Sequence, residues 1–161
     1  MTHHLSIRPM TTADKAAVMK LLRDTPEFTP AETAVAEEVL DSYLDSPKAS
    51  DYYALVAEVN SSVVAYICYG PTPLTEGTWD IYWLAVSPKS QGQGIGKSLL
   101  AYAEEQLKKA RARMALIETS SMPQYERTRQ FHRSQGYELI SRIEDFYAPG
   151  DHKLIFRKLI S

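Results

Sequence analysis

The chain has 161 residues, 44% of them hydrophobic and 24% charged, which is the balance of one globular domain and excludes a largely disordered chain. Its 18 Lys and Arg residues against 20 Asp and Glu residues give a formal charge of −2, so bulk nucleic acid and anionic membranes are poor partners. The lone cysteine, Cys68, excludes an internal disulfide and a thiolate metal site. The N-terminus has no apolar signal core and no apolar run is long enough for a bilayer, so we expect a soluble cytoplasmic protein.

The first half of the chain predicts a strand over residues 5–8, then helices over 12–23 and 29–47, and then two hairpin strands over 53–59 and 63–69. The second helix has the clearest start, because Thr29 suits the N-cap, Pro30 the first turn and Glu32 the capping box. The Asn-Ser-Ser sequence over 60–62 predicts the turn of the hairpin.

The second half predicts strands over 79–86, 114–119, 137–147 and 153–160, with a helix over 95–112 after the first strand and a helix over 121–136 after the second. The first of these helices carries a buried apolar stripe of Ile95, Leu99, Ala103, Leu107 and Ala110. A capping box that starts at Ser121 opens the next helix, and Gly136 ends it. The order βααβββαβαββ is that of a mixed α/β fold with a crossover helix between strands four and five. No repeat or linker divides residues 1–161, so we expect a single domain.

A glycine-rich turn, QGQGIG over 91–96, lies between the strand over 79–86 and the helix that follows. Glycine allows positive φ and close approach, so the free N–H groups of such a turn can converge on phosphate oxygens at a helix N-terminus. A nucleoside-triphosphate loop is excluded by spacing, because Gln91 stands where its first glycine is required. A dinucleotide fingerprint is excluded too, because the three glycines alternate. The alternative to a ligand site is that the glycines only allow a tight turn from the strand to the helix.

The segment Leu84-Ala85-Val86-Ser87-Pro88 followed by QGQGIG resembles the Q/R-x-x-G-x-G/A signature of the GNAT acyltransferases, which cradles the pyrophosphate of coenzyme A. The resemblance follows the element order over nearly the whole chain and is strongest from Asp80 to Gly136, where Phe131…Gly136-Tyr137 matches a second family segment. It implies a single-domain GNAT-like α/β fold, with a central mixed, mostly antiparallel sheet flanked by helices. The C-terminal IEDFYAPGD also resembles a subgroup signature of this family.

The resemblance implies which residues hold acetyl-CoA as co-substrate. In the family, strands four and five splay apart and the pantetheine arm lies between them like an extra strand. Backbone groups of the segment Leu84, Ala85 and Val86 would therefore pair with the pantetheine amides, and the Leu84 N–H could polarise the thioester carbonyl. The diphosphate would be held by Gln91, Gly92, Gln93, Gly94, Ile95, Gly96 and Lys97. Tyr125 stands where the family usually has a pantetheine-binding asparagine. The alternative for the side chains of strand four is ordinary core packing, which is compatible with backbone binding.

Acetyl transfer to an amine requires a neutral nitrogen, so a carboxylate must help to remove the proton of a group with a pKa of about 10.4. Two carboxylates have suitable positions: Asp80, where many family members carry a glutamate base, and Glu118, at the end of the fifth strand, where others place theirs. Each has the alternative of a solvated strand-end charge. His132 stands where the family usually has a tyrosine acid, and is either a replacement acid or a histidine on the helix surface.

The acceptor is expected beside the first two helices and the last two strands, with Tyr82, Trp83, Asp145 and Tyr147 as lining residues together with Asp151. The alternative for the aspartates is a structural role at hairpin turns. The expected function is N-acetyl transfer from acetyl-CoA to a small-molecule or amino-acid-like amine, with no metal, nucleic acid or membrane partner, and with a homodimer left open. A coenzyme-A-binding sensor is the alternative, and a P-loop phosphotransferase is disfavoured by Gln91.

Overall fold

The structure is a computed structural model that describes residues 4–160. Its strands and helices are β1 (Leu5–Pro9), α1 (Lys15–Asp24), α2 (Pro30–Asp45), β2 (Tyr53–Val59), β3 (Ser62–Pro71), β4 (Thr78–Val86), α3 (Ile95–Lys109), β5 (Met114–Ser120), α4 (Glu126–Ser134), β6 (Glu138–Ala148) and β7 (Asp151–Leu159). Short 3-10 turns precede α1, α3 and α4. The predicted order βααβββαβαββ is confirmed.

The seven strands form one mixed sheet in the order β1-β2-β3-β4-β5-β7-β6. β4 and β5 are parallel because α3 forms the crossover between them. The pairs β1 with β2, β2 with β3, β5 with β7, and β6 with β7 are antiparallel. The parallel register runs from Thr78 opposite Met114 to Ile81 opposite Ile117, and both strands continue beyond it. The predicted α/β fold with a mixed, mostly antiparallel sheet is therefore confirmed.

The chain packs as two compact units. The first comprises the chain up to Gly70 together with Trp83–Gln106, and the second comprises Pro71–Tyr82 together with the chain from Leu107 onward. That the whole of residues 1–161 acts as a single domain stays a prediction, and its two ends lie outside the described residues. No helix within residues 4–160 is long and apolar enough to cross a membrane.

The first unit has its apolar core where α1 and α2 pack on β2 and β3. Val18, Leu40 and Val56 are completely buried there, and burial of such side chains stabilises the fold by roughly 1.5–3 kcal/mol each. Arg8 on β1 ties this unit together, because its guanidinium donates to Asp14 at 2.7 Å and to Glu58 at 2.8 Å. The hydrogen bond from the Arg8 guanidinium lowers the pKa of the Asp14 carboxyl to about 2.

The hairpin of β2 and β3 has a tighter turn than the sequence predicts. Asn60 and Ser61 have φ values of 51° and 66°, and Val59 already pairs with Ser62. Two left-handed residues in a two-residue loop match the twist of the strands, and asparagine tolerates that conformation well. Ser62 therefore belongs to β3 and not to the turn.

The second unit is organised around β5, which pairs with β4 on one side and with β7 on the other. Ala115 and Phe156 are completely buried in it. Two local predictions are wrong here. Ala110 is exposed, because α3 ends at Lys109 and Arg111 turns the chain with a φ of 61°. Ser121 caps no helix, because its hydroxyl accepts from the His152 N–H, and a 3-10 turn leads into α4 instead.

Candidate functional site

The glycine-rich turn lies in the first unit, between the end of β4 and the start of α3. Gly92 and Gly94 have φ values of +78° and +79°, a conformation that residues with a side chain rarely adopt. In the described chain, nothing lies within 4 Å of the position that a Cβ would take at either residue, so this backbone is open to a ligand. Gly96 differs, because it lies in the first turn of α3 with helical backbone.

The N-terminus of α3 completes an anion-binding geometry. The first helical hydrogen bond runs from the Ser98 N–H to the Gly94 carbonyl at 3.0 Å. The N–H groups of Ile95, Gly96 and Lys97 precede it and have no carbonyl to reach within the helix. Together with the helix dipole, they suit a diphosphate, so the residues present fit coenzyme A.

Gln91 shapes this turn from inside. Its side-chain Nε2 donates to the Val86 carbonyl at 3.1 Å, and the Ser87 N–H donates to the Val64 carbonyl at 2.7 Å. Gln91 thus links the last residue of β4 to the start of the turn, which is a role that the motif alone does not reveal. On the strand itself, Leu84 is half-buried and Ala85 is buried, and both lie beyond the residues of β4 that pair with β5.

The two candidate carboxylates both lie in the second unit, on neighbouring parallel strands. Asp80 on β4 is opposite Leu116 on β5, and Glu118 follows two residues later, so the side chains of Asp80 and Glu118 project from the same face of the sheet. Lys153 on β7 joins them, with its Nζ 3.1 Å from Glu118 Oε1. The structure therefore assembles two carboxylates and one ammonium, of which the sequence had identified only the carboxylates.

Asp80 and Glu118 differ in their partners. Asp80 is half-buried and accepts a hydrogen bond from the Thr72 hydroxyl at 2.7 Å, whereas Glu118 is ion-paired with Lys153 and has about half of its side chain exposed. Burial raises the pKa of the Asp80 carboxyl, the charge of Glu118 adds to the rise, and Thr72 and Lys153 oppose it. Which of the two carboxylates acts as a base stays a prediction.

His132 occupies the core of the second unit. It is 5% exposed, and its ring packs among Phe131, Tyr137 and Phe156 at centroid distances of 5.9–6.4 Å. Its Nδ1 atom is buried without a hydrogen-bond partner among the described residues. Burial lowers the pKa of the imidazole to about 4. The surface alternative is therefore wrong, while the acid role stays a prediction that the lowered pKa of the ring does not favour.

Tyr125 lies at the start of α4 as its N-cap residue, and its N–H donates to the Met122 carbonyl at 3.0 Å. The buried Arg129 holds the same corner, because its guanidinium donates to the Ser120 carbonyl at 2.7 Å and the Met122 carbonyl at 2.9 Å. The sequence does not reveal this role of Arg129, since a charged residue on a polar helix predicts solvent exposure. This corner keeps Tyr125 beside the end of β5.

The predicted acceptor residues fall into two groups. Tyr82 and Tyr147 are partly exposed aromatic side chains, at 37% and 47%, while Trp83 packs against the core of the first unit. Asp145 is a turn residue with a φ of 55°, and its carboxylate accepts from the Gly150 N–H at 2.8 Å. Asp151 likewise accepts from the Ser120 hydroxyl. The aspartates thus have the structural role that the sequence left as their alternative.

A cavity of about 340 Å³ lies in the first unit beside α1 and α2, the two helices beside which the acceptor was expected, but none of its lining residues was predicted. Its lining is mainly apolar, with one guanidinium and one carboxylate, and consists of Met19, Arg23, Phe28, Pro30, Thr33, Ala34 and Glu37. Within residues 4–160, no group of three or more His, Cys, Asp and Glu side chains is placed to hold a metal ion.

Comparison with known proteins gives a consistent picture. Residues 16–137 match the family described as "Acetyltransferase (GNAT) family". The chain is similar to a crystal structure from Desulfovibrio desulfuricans described as an acetyltransferase of the GNAT family, with 34% identity, a TM-score of 0.95, and coverage of 98% of this chain and 100% of that chain. No curated protein is a significant match.

Two more distant structures share the fold. An aminoglycoside 6′-N-acetyltransferase complexed with coenzyme A has 17% identity and a TM-score of 0.76, with 97% of both chains covered. The PaiA N-acetyltransferase from Thermoplasma acidophilum, also in complex with coenzyme A, has 18% identity and a TM-score of 0.76, with 97% of this chain and 99% of that chain covered.

Proposed function

The chain belongs to the acetyltransferase (GNAT) family, and on that premise we propose that it transfers an acetyl group from acetyl-CoA to the primary amine of a small-molecule or amino-acid-like acceptor. The observation that carries the proposal is the open glycine-rich turn at the N-terminus of α3, with Gly92 and Gly94 in left-handed conformations. A half-buried carboxylate with a raised pKa, Asp80, supports the amine as the acceptor.

Residues of the turn hold the diphosphate of acetyl-CoA in this proposal. The N–H groups of Gln93, Gly94, Ile95 and Gly96 donate to its oxygens, and the exposed Lys97 ammonium adds a positive charge. The bound group supplies a thioester, whose carbonyl carbon is the electrophile. Backbone groups of β4 from Leu84 onward would align its pantetheine arm, and the Leu84 N–H would donate to the thioester oxygen. The new C–N bond would form as the C–S bond breaks, and coenzyme A would leave as a thiolate that takes up a proton.

Asp80 removes the proton of the acceptor amine. It acts through water, because an aspartate is one methylene shorter than the glutamate usual at this position. Its raised pKa brings it closer to that of an alkylamine, about 10.4, which eases the proton transfer. Lys153 holds Glu118 in an ion pair, whereas Asp80 accepts its hydrogen bond from the neutral Thr72 hydroxyl. The three groups carry a net negative charge, which favours a cationic acceptor.

The proposal is tested by calorimetry with acetyl-CoA, followed by thiol release from acetyl-CoA over a panel of polyamines, aminoglycosides, amino acids and peptides with free N-termini. We expect binding, and turnover that depends on an amine in the panel. Binding without turnover for any amine would favour the coenzyme-A-binding sensor instead. A protein that does not bind acetyl-CoA at all would contradict the proposal.

A further inference from the structure

The cavity beside α1 and α2 is a second place in the molecule that is able to hold a small ligand. Every residue that lines it belongs to the first unit, and its volume is about 340 Å³. Small-molecule sites are usually apolar clefts of about 300–1,000 Å³ with a few polar groups that fix the orientation of the ligand, so this volume suits a small occupant. The buried side chain of Met19 and the partly buried side chain of Phe28 supply apolar lining.

Two side chains of opposite charge complete the lining. Arg23 is exposed in the last turn of α1, and within residues 4–160 it has no hydrogen bond or ion pair. Glu37 lies on α2 with its Oε2 atom 3.3 Å from the Lys15 Nζ, but Lys15 makes its shorter contact, at 2.6 Å, with Asp41. The Glu37 carboxylate therefore keeps capacity for a second cation, and the Arg23 guanidinium is free to take an anion. The positive end of the α2 dipole, at Pro30, adds to that attraction.

The two charges are too far apart for a single amino acid to reach both. Lys15 contacts Glu37, and Arg23 lies about 12 Å further along α1, at about 1.5 Å of rise per residue. A ligand whose charged ends each approach a partner to about 3 Å then needs about 6 Å between its own ammonium and carboxylate. A free amino acid carries both charges on one carbon, whereas two residues of extended chain span about 7 Å. The spacing therefore favours a dipeptide.

We propose that this cavity binds a dipeptide with free termini and apolar side chains. Its C-terminal carboxylate lies on the Arg23 guanidinium, whose planar fork of N–H groups matches the two carboxylate oxygens. Its N-terminal ammonium lies on the Glu37 carboxylate, and its side chains pack against Met19 and Phe28. The carboxylates assigned to acetyl transfer lie in the second unit, so the inference does not depend on that activity.

The charge pattern of the cavity argues against other small occupants. A polyamine is repelled by the Arg23 guanidinium, and a dicarboxylate or a nucleotide is repelled by the Glu37 carboxylate. An uncharged apolar ligand covers both groups without pairing either, which costs free energy. A dipeptide with free termini pairs both charges and also covers the apolar lining, which is why the observations favour it.

The experiment is a calorimetric titration of the full chain with the dipeptide leucyl-leucine, in the absence of acetyl-CoA. We expect a dissociation constant on the order of 0.1–1 mM, which is typical of a ligand of this size. Free leucine should bind about 10-fold more weakly, since it reaches only one charged group. Arg23→Gln and Glu37→Gln should each weaken leucyl-leucine binding by roughly 10-fold, and Arg127→Gln, an equal change at an exposed site on α4, should leave it unchanged. Circular dichroism verifies that each variant is folded.

Blocked dipeptides provide the decisive arm, because each lacks one charge of the ligand. The wild type should discriminate against both the C-terminal amide and the N-acetyl derivative of leucyl-leucine. Arg23→Gln should lose only the discrimination against the amide, and Glu37→Gln only that against the N-acetyl derivative. A wild type that does not bind leucyl-leucine at millimolar concentration would overturn the proposal. So would variants that bind it as the wild type does, or variants that keep both discriminations. None of these measurements involves turnover, so their failure would leave acetyl transfer untouched.

Discussion

The buried imidazole of His132 makes the stability of the fold depend on pH in a defined window. The pKa of this group falls from its ordinary 6.5 to about 4, because its ring lies among aromatic side chains out of water. The unfolded chain therefore binds a proton between pH 6.5 and pH 4 that the folded chain does not bind. The stabilisation is complete above pH 6.5 and is lost as the pH falls towards 4.

The magnitude follows from the difference between the two pKa values. The full difference corresponds to about 3 kcal/mol of unfolding free energy, and about 2 kcal/mol is already lost at pH 5. Asp14 does not change stability over this pH range. Its pKa is about 2 in the folded protein against an ordinary 3.8, so the stability it contributes is lost only as the pH falls below 3.8. Replacement by phenylalanine, His132→Phe, keeps an aromatic ring and removes the titrating group together with the unpartnered Nδ1.

Urea unfolding followed by tryptophan fluorescence, at pH 7.5 and at pH 5.0, measures the effect. The wild type should lose about 2 kcal/mol more than His132→Phe between these two conditions. The matched control is His4→Gln, which removes an exposed histidine and should follow the wild type. The reasoning is refuted if wild type and His132→Phe lose the same free energy over this range, since the imidazole would then be solvated in the folded state.

Two further predictions concern the glycine turn and the lysine beside the carboxylates. Gly94→Val forces a branched side chain into a φ of +79° and should abolish acetyl-CoA binding in calorimetry. The control Gly150→Val changes a glycine with a similar φ, +82°, in the β6–β7 turn and should retain binding. Equal affinities of the two variants for acetyl-CoA would contradict the assignment of the glycine-rich turn as the diphosphate site. Lys153→Met removes a cation that lowers the pKa of Asp80, so the acid limb of the kcat/KM profile should move to higher pH, and an unmoved or acid-shifted limb would argue against Asp80 as the base.

Local sequence signals predicted the order of the elements and the glycine turn well, because both depend on residues close together in the chain. The N-cap of α2 illustrates this, since the Thr29 hydroxyl accepts from the Glu32 N–H at 3.1 Å as its sequence predicts. The same reasoning failed at Ser121, where a distant N–H, that of His152, takes the hydroxyl that a local rule assigned to a helix. At such points a tertiary contact, and not the local sequence, decides which group a side-chain hydroxyl bonds.

The candidate site was predicted only in part for the same reason. Asp80 and Glu118 were implied by the family resemblance, and their role stays a prediction. Lys153 lies far along the chain from both, and only the pairing of β5 with β7 brings it beside Glu118. The burial of His132 depends on packing against Phe156, which no helical periodicity reveals. The cytoplasmic location and the significance of the C-terminal IEDFYAPGD segment stay predictions.

The central claim is that Asp80 serves as the base for acetyl transfer to an amine, and one comparison of rates tests it most directly. Thiol release from acetyl-CoA with a saturating amine acceptor is measured at pH 7 for Asp80→Asn, Glu118→Gln and the exposed control Glu76→Gln. Asp80→Asn should lose roughly 10²–10⁴ in rate, with a loss that shrinks as the pH rises and the free amine becomes abundant. Glu118→Gln should lose much less, and Glu76→Gln nothing. A large loss for Glu118→Gln with a normal rate for Asp80→Asn would contradict the account.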